Sequence, residues 1–120
     1  MEDTDRLDIP NGVEVYEIDG PFFFGLASRF EELENMKDSA TKVRIIRMRK
    51  VPFIDSTGIH NLTNLIRMNQ EDGIHIILSG VSPKLHKQLE KARFYNLIAP
   101  DHICPHIDIA LEKARDFLAK

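Results

Sequence analysis

The sequence predicts an α/β domain built on a largely parallel sheet. Strand-like and helix-like hydrophobic periods alternate along the chain, in the order β, helix, β, helix, β, helix, short β, helix. Such alternation makes the helices right-handed crossovers between parallel strands. The length of 120 residues suits one domain, and 42% apolar residues suffice for a core without disulfide or metal staples. No internal repeat or low-complexity tract interrupts the pattern.

The elements follow in order. Residues 1–10, MEDTDRLDIP, are polar and end in proline, so they read as a lead or linker, with a short strand near Leu7 to Ile9 as an option. The domain proper is expected over 11–120. Val13 to Ile18, VEVYEI, has strand composition, with Val13 and Val15 on one face and Tyr16 and Ile18 on the other. Asp19-Gly20-Pro21 breaks it. Leu26, Phe30, Leu33 and Met36 then recur at helical spacing, and this helix should end before Thr41. Val43 to Met48, VRIIRM, is the next strand. Arg44 and Arg47 fall on its opposite faces, so neither face is wholly dry.

Ile59, Leu62, Leu65, Ile66 and Asn69 mark an amphipathic helix ending near Asp72-Gly73. Ile74 to Leu78 is a compact strand. Ser82-Pro83 reads as N-cap and first helical residue of a helix lined by Leu85, Leu89 and Ala92. Asn96 to Ile98 is expected as a last edge strand. Ile107, Ala110, Leu111, Ala114, Phe117 and Leu118 predict a terminal helix.

Charge and cysteine usage narrow the function classes. Sixteen Lys and Arg against nineteen Asp and Glu lack the basic excess of a nucleic-acid binder. The single Cys104 cannot close an internal disulfide, which suits a reducing compartment. No apolar run approaches the roughly 18 residues of a membrane span, and no signal-peptide pattern opens the chain. The polypeptide therefore reads as soluble, an expectation that also fits a piece of a larger membrane protein. There is no triad spacing, paired-carboxylate signature or cofactor fingerprint, so neither an enzyme nor a bound cofactor is expected.

The residues that ask for a purpose lie in VPFIDSTGIH, 51–60. Asp55, Ser56, Thr57 and Gly58 stand between a strand and a helix, at the edge where open α/β sheets carry their function. Two readings stand side by side. In one, Ser56 or Asp55 simply caps the helix, its oxygen accepting a free backbone N–H and the Asp55 charge suiting the helix dipole. In the other, the same helix start tolerates a phosphate on Ser56 or, less readily, Thr57, and the added charge changes which partner docks.

A strand ending in Phe-Ile-Asp-Ser-Thr-Gly before an amphipathic helix resembles the STAS domain, over roughly residues 8–119. STAS domains are the anti-sigma factor antagonists and the cytoplasmic domains of sulfate-permease (SulP) anion transporters. GVEVYEIDGPFFFG and RMRKVPFIDSTGIH look like the transporter branch. The resemblance implies a mixed, mostly parallel sheet of four to five strands, with about four helices packed mainly on one side. It implies a regulatory domain at the cytoplasmic face of a bacterial inner membrane, docking to the parent transporter's transmembrane domain or to a cytosolic regulatory protein. A homodimer through the parent transporter is left open. Ser56 matches the serine phosphorylated in antagonist members, which makes a free-standing phosphoswitch the alternative. Some members bind guanine nucleotides, but the chain has no Gly-rich phosphate loop, so nucleotide binding ranks below partner docking.

Three further groups carry paired readings. Three aromatic rings in succession, Phe22, Phe23 and Phe24, cannot all face one core in extended backbone. Either Phe22 and Phe24 pack inward and Phe23 is a solitary exposed ring, or the run is an apolar docking surface. Arg44, Arg47, Arg49 and Lys50 are either solvated charges offset by nearby acids or, for Arg49 and Lys50, a contact for an anion or acidic partner beside the turn. His60 and Asn61 border the same surface. His102, Cys104 and His106 fall short of a four-ligand zinc site, so no metal is expected, and Cys104 reads as a small buried hydrophobe.

Overall fold

The computed structural model describes residues 8–19 and 41–119. Strands β1 (Val13–Asp19), β2 (Val43–Lys50) and β3 (His75–Ser79) form one sheet in that order. Both pairings are parallel, with Val15 beside Ile45 and Ile45 beside Ile77. Helices α1 (Ser56–Glu71), α2 (Pro83–Lys91) and α3 (Ile107–Leu118) complete the described architecture. The helix expected from Leu26 to Met36 lies outside the described residues, as do Phe22, Phe23 and Phe24.

Strand alternation sorts the core into two layers. Ile18, Ile46, Met48, Ile76 and Leu78 face α1 and α2, packing on Leu62, Leu65, Ile66, Leu85 and Leu89. Val13, Val43, Ile45 and Ile77 face α3, packing on Ala110, Leu111 and Ala114. The small alanines let α3 approach the sheet closely. Two of the three described helices thus share one face and the third covers the other. The Val13/Val15 and Tyr16/Ile18 division read from the sequence is the observed one, with Val15 and Tyr16 half-buried in opposite layers.

A parallel strand covered on both faces is usually apolar throughout. The central strand β2 instead buries two arginines, Arg44 and Arg47. Arg44 is neutralised by design of its neighbours: its Nη2 and Nε donate to Glu14 Oε1 at 2.8 and 3.2 Å, and its Nη1 donates to Asn69 Oδ1. Asn69 in turn donates from Nδ2 to the Leu65 carbonyl at 2.7 Å. The Tyr16 ring lies 5.5 Å from the guanidinium carbon. One buried cation thereby ties β1, β2 and α1 together. Arg44 and Arg47 are therefore not solvated charges, although acids on β1 do offset Arg44, Arg49 and Lys50.

The edge strand expected at Asn96–Ile98 is absent. Phe94–Asn96 is a 3-10 turn entered through Arg93 in the left-handed region, and the Leu97 and Ile98 amides both donate to the Phe94 carbonyl. Pro100 then denies any ladder a donor. The sheet is extended instead by a single parallel bridge, Leu78 to Ile103, with the Cys104 amide on the Leu78 carbonyl at 2.7 Å. Cys104 is buried, as expected, and burial pushes its thiol pKa up. Two histidines have aromatic neighbours in the structure. His75 stacks on Phe117 at 4.1 Å, and the Tyr95 hydroxyl lies within hydrogen-bonding distance of the His86 ring.

Candidate functional site

Parallel strands end on one side of the domain, and there the connections lead into helix N-termini. β2 ends at Lys50, and residues 51–55 carry the chain to α1. Val51 and Ile54 are buried anchors of this loop, whereas Phe53 is exposed. Ile54 is further held by Gln88 of α2. Its amide donates to Gln88 Oε1 at 3.2 Å, and its carbonyl accepts from Gln88 Nε2 at 3.0 Å. A side-chain amide thus pairs both polar groups of one backbone unit, as a neighbouring strand would.

Asp55, not Ser56, is the N-cap of α1. Its backbone is extended, and Oδ1 accepts from the Gly58 amide at 2.6 Å. The carboxylate outcompetes the serine hydroxyl because its charge also meets the positive helix end. Ser56 becomes the first helical residue, and its side chain is released to solvent beside Thr57, both being exposed. Gly58 is buried. His60 is exposed and within 3.2 Å of Asn64 Nδ2. Asn61 is half-buried, and its Nδ2 is enclosed without a hydrogen-bond partner. Asp55, Ser56, Thr57 and His60 therefore form one exposed, firmly anchored turn.

Arg49 and Lys50 precede this turn in sequence but are held elsewhere in space. Both reach Glu17 on β1, Arg49 Nε at 2.6 Å and Lys50 Nζ at 3.4 Å. Burial pushes the Glu17 carboxyl up, but the Arg49 hydrogen bond and charge, with those of Lys50, outweigh it and hold its pKa below the ordinary 4.5. Arg49 also lines a cleft with Ser79, His106 and Ile107, beside α3. That cleft lies on the sheet face opposite α1, so Arg49 belongs to a different surface from Ser56. Sequence reasoning missed this second cleft. The available signal was the charged Arg47 inside an otherwise apolar central strand. Among the described residues no group of three or more His, Cys, Asp or Glu is placed to hold a metal, and no helix is long and apolar enough to cross a membrane.

Comparison with known proteins places this geometry in a family. The family model described as STAS domain matches residues 6–110. A solved structure of a sulfate transporter family protein from Wolinella succinogenes superposes with a TM-score of 0.92 at 38% identity, covering 98% of this chain and 97% of that one. A SulP transporter STAS domain from Vibrio cholerae gives 0.83 at 31%, covering 93% and 88%. A candidate anti-sigma factor antagonist from Thermotoga maritima gives 0.72 at 17%, covering 90% and 92%, a likeness of fold alone. Sulfate transporter 1.1 of Arabidopsis thaliana is 30% identical over 86% of this chain. The chain spans 18% of that protein's length and 19% of a second curated relative's. The match over residues 6–110 establishes that the chain belongs to the STAS domain family.

Proposed function

We propose that the chain is the cytoplasmic regulatory domain of a SulP-family anion transporter, with sulfate as the anion. It acts without catalysis, by docking the exposed Asp55–Asn61 turn against the transporter's membrane domain or a cytosolic partner. Phe22, Phe23 and Phe24 are proposed as further docking residues, and the domain would sit at the inner face of a bacterial membrane. A dimeric parent transporter would present two copies. One observation carries the docking role: Ser56, Thr57 and His60 are exposed on a turn whose backbone is pinned by Asp55 and Gln88. A surface that is rigid before binding loses little entropy on contact. The transporter branch is preferred because the likeness to the Wolinella protein is 38% identical, against 17% for the antagonist-like protein.

The test uses the parent transporter carrying Thr57→Arg together with His60→Glu. These side chains are exposed, so the folded amount in the membrane should be unchanged. Sulfate uptake should fall by about tenfold, the effect of losing roughly 1.4 kcal/mol of contact. Uptake equal to that of the unsubstituted transporter, at equal expression, would remove the docking role.

The antagonist-like alternative has its own observation. Ser56 is accessible at the first position of α1, where a phosphate would meet the helix dipole while facing Asp55. Intact-mass measurement of protein purified from its own cells, with Ser56→Ala as control, decides it. A phosphate lost in the Ser56→Ala protein supports the switch, and its absence from repeated preparations removes it.

A further inference from the structure

Arg47 and Ser79 sit side by side in the β2–β3 register, on the sheet face that α3 covers. They are 3% and 1% exposed. Arg47 Nη1 and Ser79 Oγ are both buried without a hydrogen-bond partner. Among the described residues, the carboxylate that reaches Arg47 is Glu17, at 4.0 Å from Nε, and Glu17 is already engaged by Arg49 at 2.6 Å. A buried guanidinium with an idle N–H is expensive, and such groups in native proteins are normally matched by an ion or ordered water.

Both residues line an open cleft of about 210 Å³, shared with Arg49, Gly80, His106 and Ile107. The opposite wall is the start of α3. This 12-residue helix has no side-chain cap, since the N-cap residue His106 makes no such bond. The amides of residues 107–109 have no carbonyl to reach within the helix, and they carry the positive end of its dipole. Gly80, at φ +69, brings no side chain into the cleft.

We infer that this cleft binds a tetrahedral oxyanion, of the chemistry shared by sulfate and hydrogen phosphate. The guanidinium supplies charge and N–H donors, Ser79 supplies a hydroxyl, and the α3 start supplies backbone amides. Asp108 also lines the cleft. Its carboxylate opposes the anion and weakens binding, so the titration should reach millimolar anion. The site lies on the sheet face away from the Ser56 turn. It stands whether or not that turn docks, and its failure would leave the docking role untouched.

The experiment is an amide-resolved NMR titration of the whole chain with sodium sulfate and with sodium phosphate, against sodium chloride at matched ionic strength. Both oxyanions should shift the amides of Gly80, Ile107, Asp108 and Ile109 saturably, and chloride should not. Ser79→Ala should weaken binding by about threefold to tenfold, the range for one lost hydrogen bond. Arg47→Met, where it folds, should weaken it by at least about tenfold, because a charged donor is lost. Glycerol 3-phosphate is titrated in parallel. Saturation by it extends the site to phosphate monoesters, and its failure beside saturating inorganic anions makes the free oxyanion the occupant. Shifts that follow chloride equally, or an affinity unchanged in folded Ser79→Ala, would overturn the site.

Discussion

Glu17 shows how much a single residue carries at the strand ends. It sits on β1 and receives Arg49 at 2.6 Å and Lys50 at 3.4 Å from β2. Burial alone would raise its pKa, yet the two cations lower it below 4.5. The sign follows by linkage. A carboxylate with a depressed folded pKa contributes stability that is complete above 4.5 and is lost as the pH falls through the lower folded value. Glu17→Gln should therefore lower the thermal midpoint at neutral pH and flatten the pH dependence of stability below 4.5. Thermal melts of the two proteins between neutral and acidic pH check this. Parallel curves at every pH would mean that the Arg49 contact contributes nothing. In sequence Glu17 is one acid in an alternating strand, and only the parallel pairing with β2 reveals its partners.

At the scale of elements, the link between the α1 turn and α2 is the informative case. Gln88 closes two hydrogen bonds on Ile54, an unusual arrangement in which a helix side chain completes the backbone pairing of a loop. Gln88→Ala should cost about 1–2 kcal/mol, the net worth of two such bonds. Hydrogen exchange at the Ile54 amide should accelerate while the α1 core amides keep their protection. Unchanged exchange at Ile54 would show that the loop is held by Val51 and Ile54 packing alone. Helix and strand positions were legible because their apolar periods are regular, as in Leu62, Leu65 and Ile66. The Ser82-Pro83 start was legible from capping chemistry. Gln88 was not, because its partner lies 34 residues away and no local pattern marks it. The strand expected at Asn96–Ile98 failed for a related reason. A run of three residues, two of them apolar, has no period, and Arg93 and Pro100 turn it into a 3-10 corner. The candidate turn was legible as chemistry, but which residue caps it was decided by charge, with Asp55 prevailing over Ser56.

The whole molecule is organised as two apolar layers divided by one sheet. Adjacent residues of β2 serve opposite layers: Ile45 packs toward α3, and Ile46 packs toward α1 and α2. Neither layer can open without disturbing the strand that forms the floor of the other. The proposed docking turn belongs to the α1 layer and the proposed oxyanion cleft to the α3 layer, so both rest on β2. Leu62 and Leu111 are comparable probes, at 0% and 3% exposure in the two layers. Leu62→Ala and Leu111→Ala should each cost about 2–5 kcal/mol through lost transfer energy and residual cavity. Both variants should unfold in one transition, with helix signal and near-ultraviolet signal changing together in denaturant. The chain is short enough, and its layers share enough sheet, for that cooperativity. If Leu111→Ala instead released α3 in a separate early step, with the α1 layer unfolding at its original midpoint, the two layers would be independent units. The Ser56 turn and the Arg47 cleft would then be uncoupled.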